Sequence, residues 1–506
     1  MKQDAKVFLI LIFIRLLSVY IVKTWFVPDE YWQSLEVAHR LVFNYGYLTW
    51  EWTLGIRSYV YPLLIAILYK ILQVLSVDFP TAIVMGPRIL QAVLSAYSDL
   101  CLYRWTNRKN WALFLIVFSW FWFYCASRTL INTFETCLTT IALTLFPWDE
   151  KNRGNYHGEI TKPNCSVPGN YKFVFLVGIL CVVRPTAAIQ WFPLCVYHLY
   201  LSKESAFFII WKQYIPIGSL VLLLSIAIDS VLHGSFIITS FEFLKFNIIK
   251  DIATFYGVHP WYWYLSSGLP TLLGIQIFPF ILAVVHILRN RYIYPKELIL
   301  LACIVFTVGV YSILPHKEFR FILPLLPIML YINSNYLSQW SRKKDKKVIW
   351  LVVGTIFVSN LIPALYLSCV HQSGTIDVML PLRNLALKNP KTSNFLFLMP
   401  CHSTPLYSHL HVNVSTRFLT CEPNLKKSVT YIDETENFYK NPNKWLRDEY
   451  PPKGPLPSHI VAFDVLVPFI KDILSRYNLI YKIFHTHVPI EEKIGTYVMI
   501  YELINF

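Results

Sequence analysis

Residues 26–52 read FVPDEYWQSLEVAHRLVFNYGYLTWEW and place an Asp-Glu pair directly after the first apolar segment of the chain. Pro28 fixes φ and removes a backbone donor, so it is expected to end the preceding helix. Asp29 and Glu30 would then sit where the chain leaves a bilayer. Glu36, His39 and Arg40 follow at helical spacing on a segment too polar to span, and Tyr31, Trp32, Tyr45, Tyr47, Trp50 and Trp52 supply interfacial aromatics. This predicts one or two amphipathic helices lying on a membrane surface. Two readings of the acids compete here: side chains favoured by a helix N-terminus, or carboxylates placed for chemistry.

The composition decides what surrounds this stretch. Of 506 residues, 55% are hydrophobic, 16% aromatic and only 15% charged, against about 25% charged in soluble domains. Apolar runs near the ~20 residues needed to cross a bilayer recur through the first 370 residues and then stop. The prediction is a polytopic α-helical membrane protein of about 10–13 spans, with residues 1–370 as the membrane module and 371–506 as a small α/β domain. The net charge of +15 does not indicate nucleic acid, because the bases gather in short loops at 104–109, 289–296 and 342–347. That is the positive-inside pattern of cytosolic loops. Ten cysteines show no metal-ligand spacing. Cys401 and Cys421, in the polar C-terminal part, are compatible with a disulfide on the non-cytosolic side or with free thiols.

Residues 7–26 read as an uncleaved first span. Further apolar runs lie at 59–75, 84–105, 111–126, 129–148, 207–232, 268–288, 297–314, 319–338 and 348–369, and 173–199 is one kinked span or two short ones, broken at Arg184-Pro185-Thr186. Glu135 enters the membrane region on an otherwise apolar helix; such groups face a bundle interior or a partner such as a neighbouring Arg. Asn164 and Asn413 head glycosylation sequons. Strand-length runs occur at 394–399, 460–463, 480–484 and 495–501, with helical periodicity over 465–477.

The second concentrated signal is the loop 314–320, containing His316, Lys317, Glu318 and Arg320 between two apolar runs. Counting back from the basic loop at 342–347 puts it on the same non-cytosolic side as the opening loop 27–58. Snorkelling explains a lone Lys or Arg there. Four ionisable groups in one turn, with Arg128 and Arg184 also near membrane boundaries, favour a pocket for an anionic headgroup. An acid in one loop and cations in another suit transfer from a lipid phosphate-linked donor: a carboxylate takes the acceptor hydroxyl proton, and cations stabilise the leaving phosphate.

FVPDEYWQSLEVAHRLVFNYGYLTWEW, SRTLINTFET (127–136), VVRPTA (182–187), FLKFN (243–247), FYGVHPWYWY (255–264), LPHKEFRFILPLLP (314–327) and LMPCHSTPLYSHLH (398–411) together resemble the mannosyltransferases of glycosylphosphatidylinositol (GPI) anchor synthesis. These belong to the GT-C class, in the family carrying a His-Lys-Glu loop. The loop alone marks only that family; the opening loop and the Pro-Cys-His-Ser-Thr-Pro segment favour the enzymes that add the third GPI mannose. The resemblance implies a multi-pass enzyme of the endoplasmic reticulum membrane with a lumenal active site and a lumenal C-terminal domain. It implies transfer of α1,2-linked mannose from dolichyl phosphate mannose to a two-mannose GPI intermediate by inverting single displacement. It further implies Asp29 as base, with Glu30 orienting the acceptor or the base. His316, Lys317 and Arg320 would bind the donor phosphate, Glu318 would fix their geometry, and Arg128, Glu135 and Arg184 would be secondary contributors. No metal or other cofactor is expected, and the partners are the lipid-linked donor, the GPI-lipid acceptor and the membrane. The C-terminal domain, with His402, His409 and His411 read as exposed, is a candidate guide for the acceptor. A mannosyltransferase of the dolichol-linked N-glycan precursor is the alternative, and a lipid transporter or scramblase a distant one. A separation of Asp29 from Lys317 beyond roughly 20 Å would count heavily against a shared site.

Overall fold

The computed structural model describes residues 2–148, 171–202, 204–425, 428, 430–451, 454–489 and 491–504. Asn164 lies outside them, whereas Asn413 is exposed on the C-terminal domain. Five helical stretches among the described residues are long and apolar enough to cross a membrane: Ala206–His233, Tyr264–Arg289, Pro295–Ile313, Phe319–Ser341 and Lys346–Lys388. Around them pack the helices Lys2–Ile21, Val60–Val74, Pro80–Trp105, Ile131–Leu145, Lys172–Val183 and Ala187–Leu201. The region 173–199 is therefore two helices, separated where Arg184 is extended and Pro185 cannot continue the first. The run 111–126 is likewise broken, into Asn110–Val117 and Trp120–Cys125.

Pro28 acts differently from the sequence expectation. The first helix already ends at Ile21, and Pro28 opens the next turn, where its carbonyl accepts the amides of Tyr31 and Trp32, both at 3.0 Å. A missing N–H is harmless at a helix start. The segment then widens into a π-helical turn, Tyr31–Leu35, before the helix Glu36–Phe43.

Buried charges join these helices. Arg15, on the first helix, reaches Asp99 at 2.6 Å with both side chains buried. Asp99 also accepts the Trp122 indole N–H at 2.7 Å, so three elements share one carboxylate.

The C-terminal domain holds a five-stranded sheet in the order β2-β1-β3-β5-β4. Its strands are β1 (Asn394–Leu398), β2 (Ser415–Phe418), β3 (His459–Phe463), β4 (Tyr477–Phe484) and β5 (Tyr497–Leu503). β1 runs parallel to β2 and β3, and β5 antiparallel to β3 and β4. Four strands match sequence runs; β2 is added, and the 465–477 periodicity resolves into two short helical turns, Asp464–Phe469 and Lys471–Leu474. Strand alternation sends Leu396, Leu398, Ile460 and Ala462 to one face, against Phe438 and Leu446. Phe395, Phe397, Val461 and Phe463 face the other way, into a core shared with Leu382, Trp32, Leu35, Ala38 and Tyr69. The domain is thus welded to the opening loop by one continuous hydrophobic core.

Replacing Arg15 by Met strands the buried Asp99 carboxylate. We expect a loss of about 3–5 kcal/mol, read as a lower thermal midpoint of the detergent-solubilised protein, whereas Arg15→Met combined with Asp99→Leu should recover most of it.

Candidate active site

The Asp-Glu pair splits between two environments. Glu30 turns into the bundle, 2% exposed, and pairs with Arg128 at 2.7 Å. Arg128 also donates to the carbonyls of Thr24 and Tyr124 and to the Thr24 hydroxyl, and its guanidinium lies 4.1 Å from the centre of the Tyr124 ring. Thr24 and Glu30 belong to the base of the opening loop and Tyr124 to the helix Trp120–Cys125, so Arg128 fixes where the loop starts against the bundle. Asp29, one residue earlier, faces outward with 22% of its side chain exposed and accepts a hydrogen bond from Arg320 on one oxygen. Among the described residues its other oxygen makes no hydrogen bond.

Arg320 is the hinge of the cluster. It donates Nε to Glu318 Oε2 at 2.7 Å and Nη2 to Glu318 Oε1 at 2.6 Å, a bidentate fork, while Nη1 reaches Asp29. His316 Nε2 stands 3.1 Å from Glu318 Oε1, and its Nδ1 is 3.2 Å from the Gly257 carbonyl. Burial pushes the Glu318 carboxyl up, but the Arg320 charge and the hydrogen bonds from His316 and Arg320 outweigh it and hold the group well below the usual carboxylate range. Glu318 therefore stays ionised and holds Arg320 and His316 in place. Asn132 donates to the Arg320 carbonyl at 3.1 Å, pinning the backbone.

Lys317, expected at the donor phosphate, is buried and directs its ammonium at the carbonyls of Leu314 (2.5 Å) and His259 (3.0 Å). With the His259 amide donating to the Pro315 carbonyl at 3.0 Å, it ties the segment 255–263 to the His-Lys-Glu loop. Arg184 pairs with Glu135 at 3.1 Å, which answers the need of that intramembrane acid for a partner. The Arg184 guanidinium also lies 5.1 Å from the Phe321 ring centre, with Arg320 at 5.5 Å and the His316 ring at 5.7 Å. Three groups able to carry positive charge thus surround one aromatic ring.

Sequence reasoning missed the pair Arg57–Glu51 (2.7 Å), although TWEW in the opening loop signalled an acid among interfacial aromatics. It also assigned no partner to Glu36. That carboxylate accepts the amides of Leu406 (2.8 Å) and Ser408 (3.2 Å) and the Ser408 hydroxyl (2.6 Å), holding the C-terminal domain onto the opening loop. Burial raises its pKa, and the hydrogen bonds oppose that rise. His402, His409 and His411 are not the exposed side chains expected; all three are partly buried at this junction. His411 meets His39 at 3.0 Å, His409 packs on Tyr31 and His402 on Trp32. Cys401 and Cys421 form a disulfide.

Burial holds His39 and His409 down to about 3 and His402 down to about 4. Histidines in an unfolded or undocked chain take up protons below about pH 6.5; the docked ones do not, so lowering pH favours the undocked state. Protease protection of the C-terminal domain should be complete at neutral pH and decline progressively toward about pH 4. Protection unchanged across that window would mean the imidazoles are not buried at the junction.

The Alg9-like mannosyltransferase family matches residues 6–411. GPI mannosyltransferase 3 of Drosophila melanogaster is 50% identical over 488 residues, covering 95% of this chain and 84% of that one. GPI alpha-1,2-mannosyltransferase 3 of Homo sapiens is 40% identical over 514 residues, covering 99% and 87%. Among solved structures, ArnT from Cupriavidus metallidurans bound to undecaprenyl phosphate superposes with a TM-score of 0.57 at 10% identity, covering 99% of this chain and 98% of that one. The oligosaccharyltransferase of Archaeoglobus fulgidus gives a TM-score of 0.55 at 10% identity, covering 98% and 74%. The fold is that of the GT-C glycosyltransferases, and the chain belongs to the Alg9-like mannosyltransferase family.

Proposed function

We propose that this enzyme transfers mannose from dolichyl phosphate mannose to the two-mannose GPI intermediate, adding the third mannose in α1,2 linkage at the lumenal face of the endoplasmic reticulum membrane. The observation that carries the site assignment is the hydrogen-bonded chain Asp29–Arg320–Glu318–His316, which joins residues almost 300 positions apart. The substrate reading rests on the 40–50% identity to relatives bearing that activity in their names.

In this reading Asp29 is the base. Arg320 fixes one carboxylate oxygen, and the open one takes the proton of the acceptor 2-hydroxyl as the hydroxyl oxygen attacks the anomeric carbon. The bond from the anomeric carbon to the phosphate oxygen breaks on the opposite face, inverting the β-linked donor to an α product. Dolichyl phosphate leaves as an anion, so no acid is needed, and the step uses no metal or other cofactor. Arg320, His316 and Arg184, ringed around Phe321, stabilise the leaving charge; Glu318 keeps Arg320 and His316 oriented. Lys317 shapes the loop from behind, Glu30 with Arg128 anchors the base of the opening loop, and Glu135 holds Arg184.

The test is mannose transfer in microsomes from cells lacking their own third GPI mannosyltransferase. Wild type should convert the two-mannose intermediate to three mannoses. Asp29→Asn, at equal abundance, should fall by at least ~100-fold, the low end for a general base. An active Asp29→Asn would remove the base assignment, and extension of N-glycan precursors instead would keep the family and replace the acceptor. Arg320→Gln should cost at least as much, because it both frees Asp29 and removes a phosphate contact.

A further inference from the structure

The C-terminal domain supplies one polar side chain to the neighbourhood of Asp29. His402 lies in the turn after β1, and the disulfide between Cys401 and Cys421 ties that turn to the chain beyond β2. Its ring sits 4.6 Å from Trp32, measured between centroids. Trp32 is three residues after Asp29, within one turn of it on the opening segment. The Trp32 indole N–H donates to the Thr404 carbonyl at 3.2 Å, fixing the turn against the opening loop. His402 holds a left-handed backbone, φ 58°, a conformation that costs a non-glycine residue free energy and recurs at functional sites. The Nδ1 atom faces the Cys421 sulfur at 3.7 Å, and among the described residues Nε2 makes no hydrogen bond. Burial lowers the imidazole pKa, and the Asp29 carboxylate opposes that lowering. A strained, clamped histidine with an unused ring nitrogen, packed on a residue within one turn of Asp29, is poorly explained by packing alone, since Phe would fill the same space against Trp32 and Phe418.

We propose that His402 is an acceptor-contacting residue, completing the acceptor half of the site from the C-terminal domain by hydrogen-bonding a hydroxyl of the incoming glycan beside Asp29. The disulfide is its positioning device. No proton changes hands at His402; the acceptor proton still goes to Asp29, and the imidazole sets which hydroxyl is presented. This inference rests on the reading of Asp29 as the base of a glycan-accepting mannosyltransferase.

The test uses the full chain in microsomes, with dolichyl phosphate mannose and the two-mannose GPI intermediate as substrates. Two variants are compared: His402→Phe keeps the ring packing without a polar atom, and His402→Gln keeps a hydrogen-bonding group. His402→Phe should raise the acceptor KM about fivefold to tenfold, the scale of one lost hydrogen bond, with donor KM unchanged and His402→Gln recovering most of the loss. Unchanged acceptor KM in both variants overturns the proposal. So does a loss of abundance or kcat in both with no acceptor-specific KM change, since that pattern belongs to a packing role. Wild type that transfers no mannose to the GPI intermediate overturns the proposed function itself, a result visible before either variant is compared.

Discussion

Two adjacent carboxylates on one short turn face opposite partners, and the architecture of the site depends on that division. Glu30 is drawn into the bundle by a buried Arg128 that also donates to the carbonyls of Thr24 and Tyr124 and to the Thr24 hydroxyl. A buried carboxylate of this kind is tolerated only because it is paired and hydrogen-bonded. With Glu30 fixed inward, helical geometry turns Asp29 outward, where Arg320 meets it. The inward pair gives position, and the outward one stays exposed enough to meet a substrate.

From that turn the structure extends in two directions. Arg320, Glu318 and His316 carry the network into the His-Lys-Glu loop, and Lys317 fastens that loop to the segment 255–263 through backbone carbonyls. Glu36, His39 and Trp32 carry it the other way, into the C-terminal domain, where one hydrophobic core runs without interruption from the sheet to the opening loop. The C-terminal sheet is accordingly packed onto the opening loop, not an appendage. Positions 29, 184 and 318 are linked through Arg320 and Phe321 although each lies on a different element.

Much of this was legible in the sequence, for definite reasons. Charges are costly in a membrane, so Asp29, Glu135, Arg184 and the loop 314–320 stood out against apolar runs, and the Arg partner anticipated for Glu135 is Arg184. Alternating or apolar runs of strand length marked four of five strands; β2 escaped because Ser415–Phe418 is short and largely polar. What the sequence could not carry was the direction of each side chain. Glu30 and Asp29 are neighbours with opposite fates, and Lys317 turns its ammonium onto carbonyls 58 and 3 residues away. Glu36 and the three junction histidines find partners about 370 residues distant, and no local pattern announces a contact of that range. Pro28 was placed at the wrong helix end because proline is equally at home after one helix and at the start of the next.

The central claim is that Asp29 and the cations of the His-Lys-Glu loop serve one reaction centre. Its most direct test is a structure of the full chain with a non-transferable phosphonate analogue of dolichyl phosphate mannose. The account predicts the phosphonate within hydrogen-bond reach, about 2.7–3.2 Å, of Arg320 or His316, with the anomeric carbon turned toward the open oxygen of Asp29. A phosphonate bound away from both side chains, with the sugar out of reach of Asp29, would contradict it.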